Sequence, residues 1–131
     1  PRSGDLNTGD QNLTNPNNYR AIRYADVLLM AAEALNRGGI DEGRARLYLN
    51  EVRLRANLSE ISSSGTALTN DIYKERRLEL VGEGHRFFDL VRTNTASENI
   101  EGFVSGKHEV FPIPSIEIDL TGNRWSQNPG Y

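Results

Sequence analysis

A mainly α-helical fold with long irregular segments at both ends is predicted by three features of the sequence. Apolar residues recur at helical spacing between residues 22 and 93, clusters of turn-forming residues separate these stretches, and the alternation typical of strands is nearly absent. The length of 131 residues corresponds to one domain or part of one. The longest apolar runs fall far short of a membrane-spanning helix, so the composition indicates a globular protein.

The first two predicted helices, over about residues 22–37 and 42–56, form an antiparallel hairpin. Gly38-Gly39 is expected to end the first helix, since glycine adopts a left-handed cap at little cost, and Asp41 is expected to cap the second. The apolar face of the first helix consists of Ala25, Leu28, Leu29, Ala32 and Leu35. The apolar face of the second consists of Ala45, Tyr48, Leu49, Val52 and Ala56.

Two further helices are predicted, with a less regular pattern. The third covers about residues 67–82, with either Thr66 or Thr69 as its N-cap. Its apolar residues are Ile72, Leu78, Leu80 and Val81. The run Gly82-Glu83-Gly84 is expected to kink or end it, because glycine is a poor helix former. A short fourth helix follows at about 85–93.

Both ends of the chain are predicted to be irregular. Residues 1–19 are rich in Gly, Asn, Asp and Thr, a composition that favours turns and cannot bury a core. Residues 95–131 form a coil-rich tail, within which Phe111-Pro112-Ile113-Pro114 is forced to be extended by its prolines. The alternation that follows, at 116–120, fits either a short strand or one helical turn capped by Ser115.

The charge balance excludes some classes of partner. Fifteen basic and eighteen acidic residues give a net charge of −3, which argues against a general nucleic-acid binder and against adhesion to acidic membranes. Thirteen of the fifteen basic residues are arginine, which suits bidentate pairing with carboxylates, so we expect the charges to pair with one another. The absence of cysteine excludes disulfides, thiol chemistry and cysteine-ligated zinc.

The acidic side chains of the third and fourth helices are the first candidates for chemistry. Two of them could form the carboxylate pair of a glycoside hydrolase. The four carboxylates are Glu75, Glu79, Glu83 and Asp89, and the arginines at helical distance are Arg76, Arg86 and Arg92. Because an arginine partner lowers a carboxylate pKa and works against a general acid, we interpret them as structural ion pairs and expect Glu79 and Glu83 to be paired with arginine.

The sequence gives little evidence for a phosphate-binding loop or a metal site. Gly82-Glu83-Gly84 suggests a phosphate loop, but Phe87 stands where a third glycine is needed and no strand precedes the run. Neither Glu83 and His85 nor His108 and Glu109 have the i,i+3 or i,i+4 spacing that directs two ligands to one metal from a helix. The sequence therefore predicts no metal, no cofactor and no catalytic residue.

Trp125, with Arg124 beside it, is the candidate for binding. An aromatic face can stack on a sugar ring, so this pair is a possible substrate-binding platform for a glycan. The favoured interpretation is an anchor that holds the tail on the helices, because burying a large ring is strongly stabilising.

Six blocks of the sequence, in order, resemble the signature of the SusD/RagB family of outer-membrane lipoproteins from Gram-negative bacteria. The blocks are Ile22–Ala34, Asn50–Ala56, Glu75–Leu80, Glu83–Arg92, Phe111–Pro114 and Gln127–Tyr131. The resemblance implies a SusD-like, mainly α fold with tetratricopeptide-like hairpins, in which residues 20–131 are the C-terminal portion of a longer protein. A lipid anchor would then lie upstream of this chain.

The resemblance also implies a function. Members of the family capture oligosaccharides or other nutrients at the cell surface, pass them to a TonB-dependent (SusC-like) outer-membrane transporter, and are not enzymes. A helical-repeat scaffold for protein–protein contacts is the alternative. No ligand residue carries over by motif, since the signature blocks are mainly scaffold. We expect ion pairs or hydrogen bonds between helices for Arg23, Asp26, Glu33, Arg53, Glu75, Arg76, Glu79, Glu83, Arg86, Asp89 and Arg92.

Overall fold

The structure, a computed structural model, describes residues 21–122 and 124–131. The described part is mainly α, as predicted, and contains no strand. Its helices are α1 (Tyr24–Arg37), α2 (Glu42–Arg55), α3 (Gly65–Glu79), α4 (Arg86–Arg92), α5 (Ala96–Asn99) and α6 (Ser115–Leu120). The chain divides into two compact units, one ending at Glu79 and the other running from Leu80 to Tyr131. The predicted irregular segment 1–19 lies outside the described residues.

Helices α1 and α2 form the predicted hairpin, and its turn is built as expected. Gly39 has a φ of +62°, the left-handed conformation that ends α1. Asp41 precedes α2 in an extended conformation, and its carboxylate accepts a hydrogen bond from the Arg44 backbone N–H at 2.9 Å. A carboxylate there satisfies a donor that the helix itself leaves unpaired and lies near the positive end of the helix dipole.

The core of the first unit lies where α1, α2 and α3 meet. Four side chains in it have no exposed surface: Leu29, Leu49, Leu68 and Ile72. They are surrounded by Ala25, Leu28, Ala32, Ala45 and Val52, all of them buried. Each large side chain stabilises the fold by about 1.5–3 kcal/mol relative to an exposed position. The apolar positions predicted for α1 and α2 supply most of this core.

Helix α3 differs most from its prediction. It begins at Gly65 and ends at Glu79, so it starts earlier and ends earlier than the predicted 67–82. The Gly65 backbone N–H donates to the Glu42 carboxylate at 2.7 Å, so a side chain from α2 satisfies this end of the helix instead of a threonine N-cap. Two predicted core residues are exposed and one core residue was not predicted: Leu78 and Val81 face solvent, and Leu68 is buried.

The segment between α2 and α3 is held by polar side chains of α2. The Asn50 amide donates to the Ile61 carbonyl at 3.0 Å and accepts from the Ile61 N–H at 2.8 Å. Arg46 and Arg53 donate to the carbonyls of Ser63 and Ser59, respectively. These bonds pair backbone groups that have no partner in a regular element, and so give an irregular loop one conformation.

The second unit contains α4, α5 and α6, with the tail packed alongside. Gly82 and Gly84 both have positive φ, so α3 and α4 are separated by a break, as predicted, and α4 is one residue shorter at each end than the predicted 85–93. Helix α5 was not predicted. At α6 the helical alternative is correct, but Ser115 is its first residue and makes no cap.

The last residues of the chain bind along the proline-rich segment. The Gln127 side chain accepts from the Ile113 N–H at 2.7 Å and donates to the Ile113 carbonyl at 2.8 Å. The Asn128 amide donates to the Phe111 carbonyl, and the Tyr131 hydroxyl donates to the Val110 carbonyl. Proline interrupts regular backbone pairing here, so side-chain amides take the place of a neighbouring strand.

Candidate functional site

Guanidinium–carboxylate pairs join the three helices of the first unit. Arg76 and Asp26 are 2.7 Å apart, with only 5% and 7% of their side chains exposed. Arg53 and Glu75 are also 2.7 Å apart; Glu75 is buried and Arg53 is partly buried. The first pair joins α3 to α1 and the second joins α2 to α3, so the predicted ion pairs between helices are confirmed here. Such pairs fix the geometry of the bundle, because each charge would be costly to leave alone.

The carboxylate of Glu79 is bonded to two arginines. Arg23 donates to Glu79 Oε1 at 2.8 Å and Arg55 donates to Oε2 at 2.5 Å. Burial by itself would raise the pKa of Glu79, but the hydrogen bonds from Arg23 and Arg55 outweigh it and hold the pKa below the usual 4.5. Glu79 is therefore ionised at neutral pH and unsuited to act as a general acid.

The other predicted pairs have mixed outcomes. Arg92 pairs with Asp89 at 2.8 Å within α4. Arg86 donates to the side-chain oxygen of Asn99 at 3.3 Å, which is a hydrogen bond between α4 and α5, as predicted. Pairing of Glu83 with arginine stays a prediction. In the first unit, Glu33 binds the Arg37 guanidinium and accepts from the Tyr73 hydroxyl. The acids of the first unit weighed above for glycoside hydrolysis, Glu75 and Glu79, are both held by arginine.

A cleft of about 330 Å³ opens between the start of α1 and the end of α2. Its floor is apolar, formed by the buried side chains of Ala25, Leu28 and Val52. Its remaining lining residues are Arg23, Tyr24, Glu51 and Arg55. An apolar floor with a few charged groups and one exposed aromatic ring has the make-up of a ligand site.

Tyr24 is the residue of this cleft that sequence reasoning missed. It lies at the first position of α1, and its side chain is 69% exposed. The available signal was its place in the helical pattern, since Tyr24 lies four residues before Leu28 and therefore at the border of the apolar face of α1. An exposed aromatic residue at the border of an apolar face is a candidate for contact with a ligand or partner.

Trp125 and Arg124, the pair predicted from the sequence, belong to the second unit. Both lie in the irregular tail after α6 and are exposed, Trp125 to 55%. The cleft is built wholly from the first unit, so these residues are not among its lining. Their role as a glycan platform or as an anchor stays a prediction.

His108 and Glu109 of the second unit have local partners. His108 Nδ1 accepts from the Val104 N–H at 2.9 Å, and its ring meets the Phe103 ring edge-on at 5.7 Å. The Gly106 N–H donates to Glu109, which helps to lower the pKa of that carboxyl. Within residues 21–122 and 124–131, no three histidine or acidic side chains are placed to hold a metal ion.

No helix among the described residues is both long and apolar enough to cross a lipid bilayer. The longest, α3, has 15 residues.

Comparison with known proteins decides the family. The family model described as SusD family matches residues 4–110, which is most of the chain. The chain belongs to the SusD family. Two SusD-like proteins of Formosa agariphila illustrate the relationship. Protein P2 is 34% identical over 94% of this chain, and protein P38 is 41% identical over 68% of it.

Solved structures of SusD-like proteins agree with the fold. A SusD homologue from Bacteroides thetaiotaomicron superposes with a TM-score of 0.75 at 34% identity over 83% of the chain. Surface glycan-binding protein A from Bacteroides uniformis superposes with a TM-score of 0.71 at 35% identity over 98% of it. The chain spans between a quarter and a third of the length of these two proteins, and 28% of the length of protein P2.

Proposed function

We propose that this chain is part of a non-enzymatic glycan-binding protein that captures oligosaccharides or other nutrients for import. The observation that carries the proposal is membership of the SusD family, together with the similarity of nearly the whole chain to a surface glycan-binding protein. Aromatic and polar groups would bind the sugar directly, with no cofactor.

The absence of catalysis is supported by the chemistry of the acids. A glycoside hydrolase needs one protonated carboxyl group near neutral pH, which requires a raised pKa. Glu79 has a lowered pKa, and Glu75 and Asp89 are bonded to arginine. These side chains therefore serve the scaffold and are poor candidates for bond cleavage.

The family also supports a location and a partner for the whole protein. We propose that it lies on the outer surface of the outer membrane, held by a lipid anchor, beside a TonB-dependent, SusC-like transporter. Sugar bound by this protein would then pass to the transporter. Oligosaccharide and transporter are thus the two partners proposed.

A second candidate function, a helical-repeat scaffold that contacts proteins and binds no glycan, is favoured by one observation. Three apolar or aromatic side chains of α1 are exposed at helical spacing: Tyr24, Val27 and Met30. Apolar side chains spaced three residues apart line one side of a helix and can pack against another protein.

Calorimetric titration of the intact protein against an oligosaccharide panel separates the two functions. Saturable heat with at least one oligosaccharide, and unchanged oligosaccharides after long incubation, are expected for a glycan-binding protein. Capture of the purified transporter without any response to sugar would instead support the scaffold. Release of shorter sugars during incubation would contradict the proposed absence of catalysis.

A further inference from the structure

We propose that the cleft between α1 and α2 binds an uncharged saccharide, with Tyr24 as the stacking surface and Glu51 and Arg55 as hydrogen-bonding groups. The inference rests on the proposed glycan-binding function and adds to it a site and a class of ligand. Trp125 and Arg124, the candidates predicted from the sequence, are not among the residues that line this cleft.

The surface of the cleft matches the two-sided character of a sugar ring. A pyranose has apolar C–H faces and an edge of hydroxyl groups. Here the floor of Ala25, Leu28 and Val52 is apolar, and Tyr24 adds an exposed aromatic ring. Ligand clefts commonly measure about 300–1,000 Å³, so a volume of about 330 Å³ suits a ligand the size of a mono- or disaccharide.

The polar groups are positioned before any ligand arrives. Arg55 Nη2 is bonded to Glu79, which fixes the guanidinium at the wall of the cleft, while 59% of the arginine side chain stays exposed. A guanidinium carries five N–H donors, so others remain for hydroxyl oxygens. Glu51 is exposed and lines the same cleft, where its carboxylate can accept from hydroxyl groups. Donor and acceptor together match a hydroxyl, which needs both.

Charge balance selects the class of sugar. The two guanidiniums of Arg23 and Arg55 share Glu79, and Glu51 contributes a second carboxylate. Among the described residues, the two positive and two negative charges of these four side chains cancel, so together they give no net attraction to a uronic acid or a sulfated sugar. Sites for anionic ligands instead present unpaired arginine or lysine. The arrangement therefore favours uncharged saccharides.

Titration of the intact protein with neutral oligosaccharides and with uronic-acid or sulfated oligosaccharides tests the proposal. We expect binding of at least one neutral oligosaccharide, with an affinity that changes little between about 50 mM and 500 mM salt. Tyr24→Ala should weaken it about tenfold through loss of stacking, and Tyr24→Phe should retain it. Phe88→Ala, which removes an aromatic ring of equal exposure (70%) in the second unit, is the matched control and should bind like the wild type.

A charge variant gives an independent test. Glu51→Lys changes the cleft from balanced to positive and should raise the affinity for acidic oligosaccharides while lowering it for neutral ones. Glu51 is exposed, so the melting temperature should stay that of the wild type. If Glu51→Lys and wild type show the same selectivity, the proposed hydrogen-bonding role of Glu51 is wrong.

The remaining outcomes separate this inference from the proposed function. Neutral-sugar binding that is equal in wild type and Tyr24→Ala would overturn the cleft as the site but leave glycan binding intact. Binding of acidic sugars alone, lost at high salt, would overturn the proposed class of ligand. If no sugar binds the wild type, the proposed function itself fails, and this inference fails with it.

Discussion

At the scale of single residues, the decisive feature is that charged side chains are taken out of water only in matched pairs. Asp26 and Arg76 are almost entirely buried, and each satisfies the other. Two charges cost several kcal/mol each to desolvate, and their attraction compensates only while both are present. The pairs therefore hold the helices in one arrangement more than they add stability.

Removing one partner of the buried pair should be strongly destabilising. Arg76→Ala leaves the Asp26 carboxylate buried without its guanidinium, so we expect the free energy of unfolding to fall by about 3–5 kcal/mol. Urea denaturation followed by circular dichroism measures it. Lys74→Ala removes an exposed positive charge from the same helix and should change stability by no more than about 0.5 kcal/mol. Equal losses in the two variants would contradict this account.

The lowered pKa of Glu79 predicts that the stability of the protein depends on pH. Its folded-state pKa lies below the usual 4.5, so the stability it contributes is fully present above that value and is lost as the pH falls through the folded pKa. Glu79→Gln cannot titrate. The unfolding free energy of the wild type should therefore fall more steeply than that of the variant at acidic pH. If the unfolding free energies of wild type and variant changed in parallel from neutral pH to about pH 3, the proposed contribution of Glu79 to stability would be refuted.

At the scale of elements, local chemistry predicts the hairpin well and α3 less well. The periodicity of α1 and the glycine and aspartate of its turn are short-range signals, and the structure has α1 at Tyr24–Arg37 and α2 at Glu42–Arg55. The start of α3 depends on Glu42, a residue 23 positions earlier, which accepts from Gly65. A cap supplied by a distant element cannot be predicted from the residues next to the start of the helix.

Alanine substitutions at two glycines of the hairpin, Gly39 and Gly43, should change the stability in opposite directions. Gly39→Ala places a side chain in the left-handed region, which costs about 1–2 kcal/mol of stability. Gly43→Ala, inside α2, meets only an ordinary contact with Asp41 at 3.5 Å and should stabilise by about 0.5–1 kcal/mol through better helix propensity. Thermal denaturation of both variants shows whether each substitution raises or lowers the melting temperature. A stabilising Gly39→Ala would show that the turn adopts another conformation.

At the scale of the whole molecule, the described chain consists of two units with different kinds of support. The first has an apolar core shared by three helices, together with interhelical ion pairs. The second depends on short helices, an aromatic contact between Phe87 and Phe103, and side-chain bonds from the tail. We therefore expect the first unit to have the more protected backbone amides in hydrogen exchange.

The core of the first unit should be sensitive to cavities. Leu29→Ala removes a fully buried side chain at the centre of the bundle and should cost about 2–5 kcal/mol. Met30→Ala, the next residue on α1, is partly exposed and should cost much less. Denaturant unfolding compares them directly. If the two losses were equal, α1 would be rotated relative to the orientation described above.

The sequence by itself determined the helical class, the hairpin, the break at Gly82 and Gly84, and the expectation that arginine and acid would pair. Each of these depends on the spacing of apolar residues or on the chemistry of residue types, and both can be read from the sequence. Only the tertiary structure decided which charges meet. Arg55 was within reach of Glu51 on its own helix but bonds to Glu79 of α3. The cleft likewise exists only where α1 and α2 come together, since a cavity belongs to no single element.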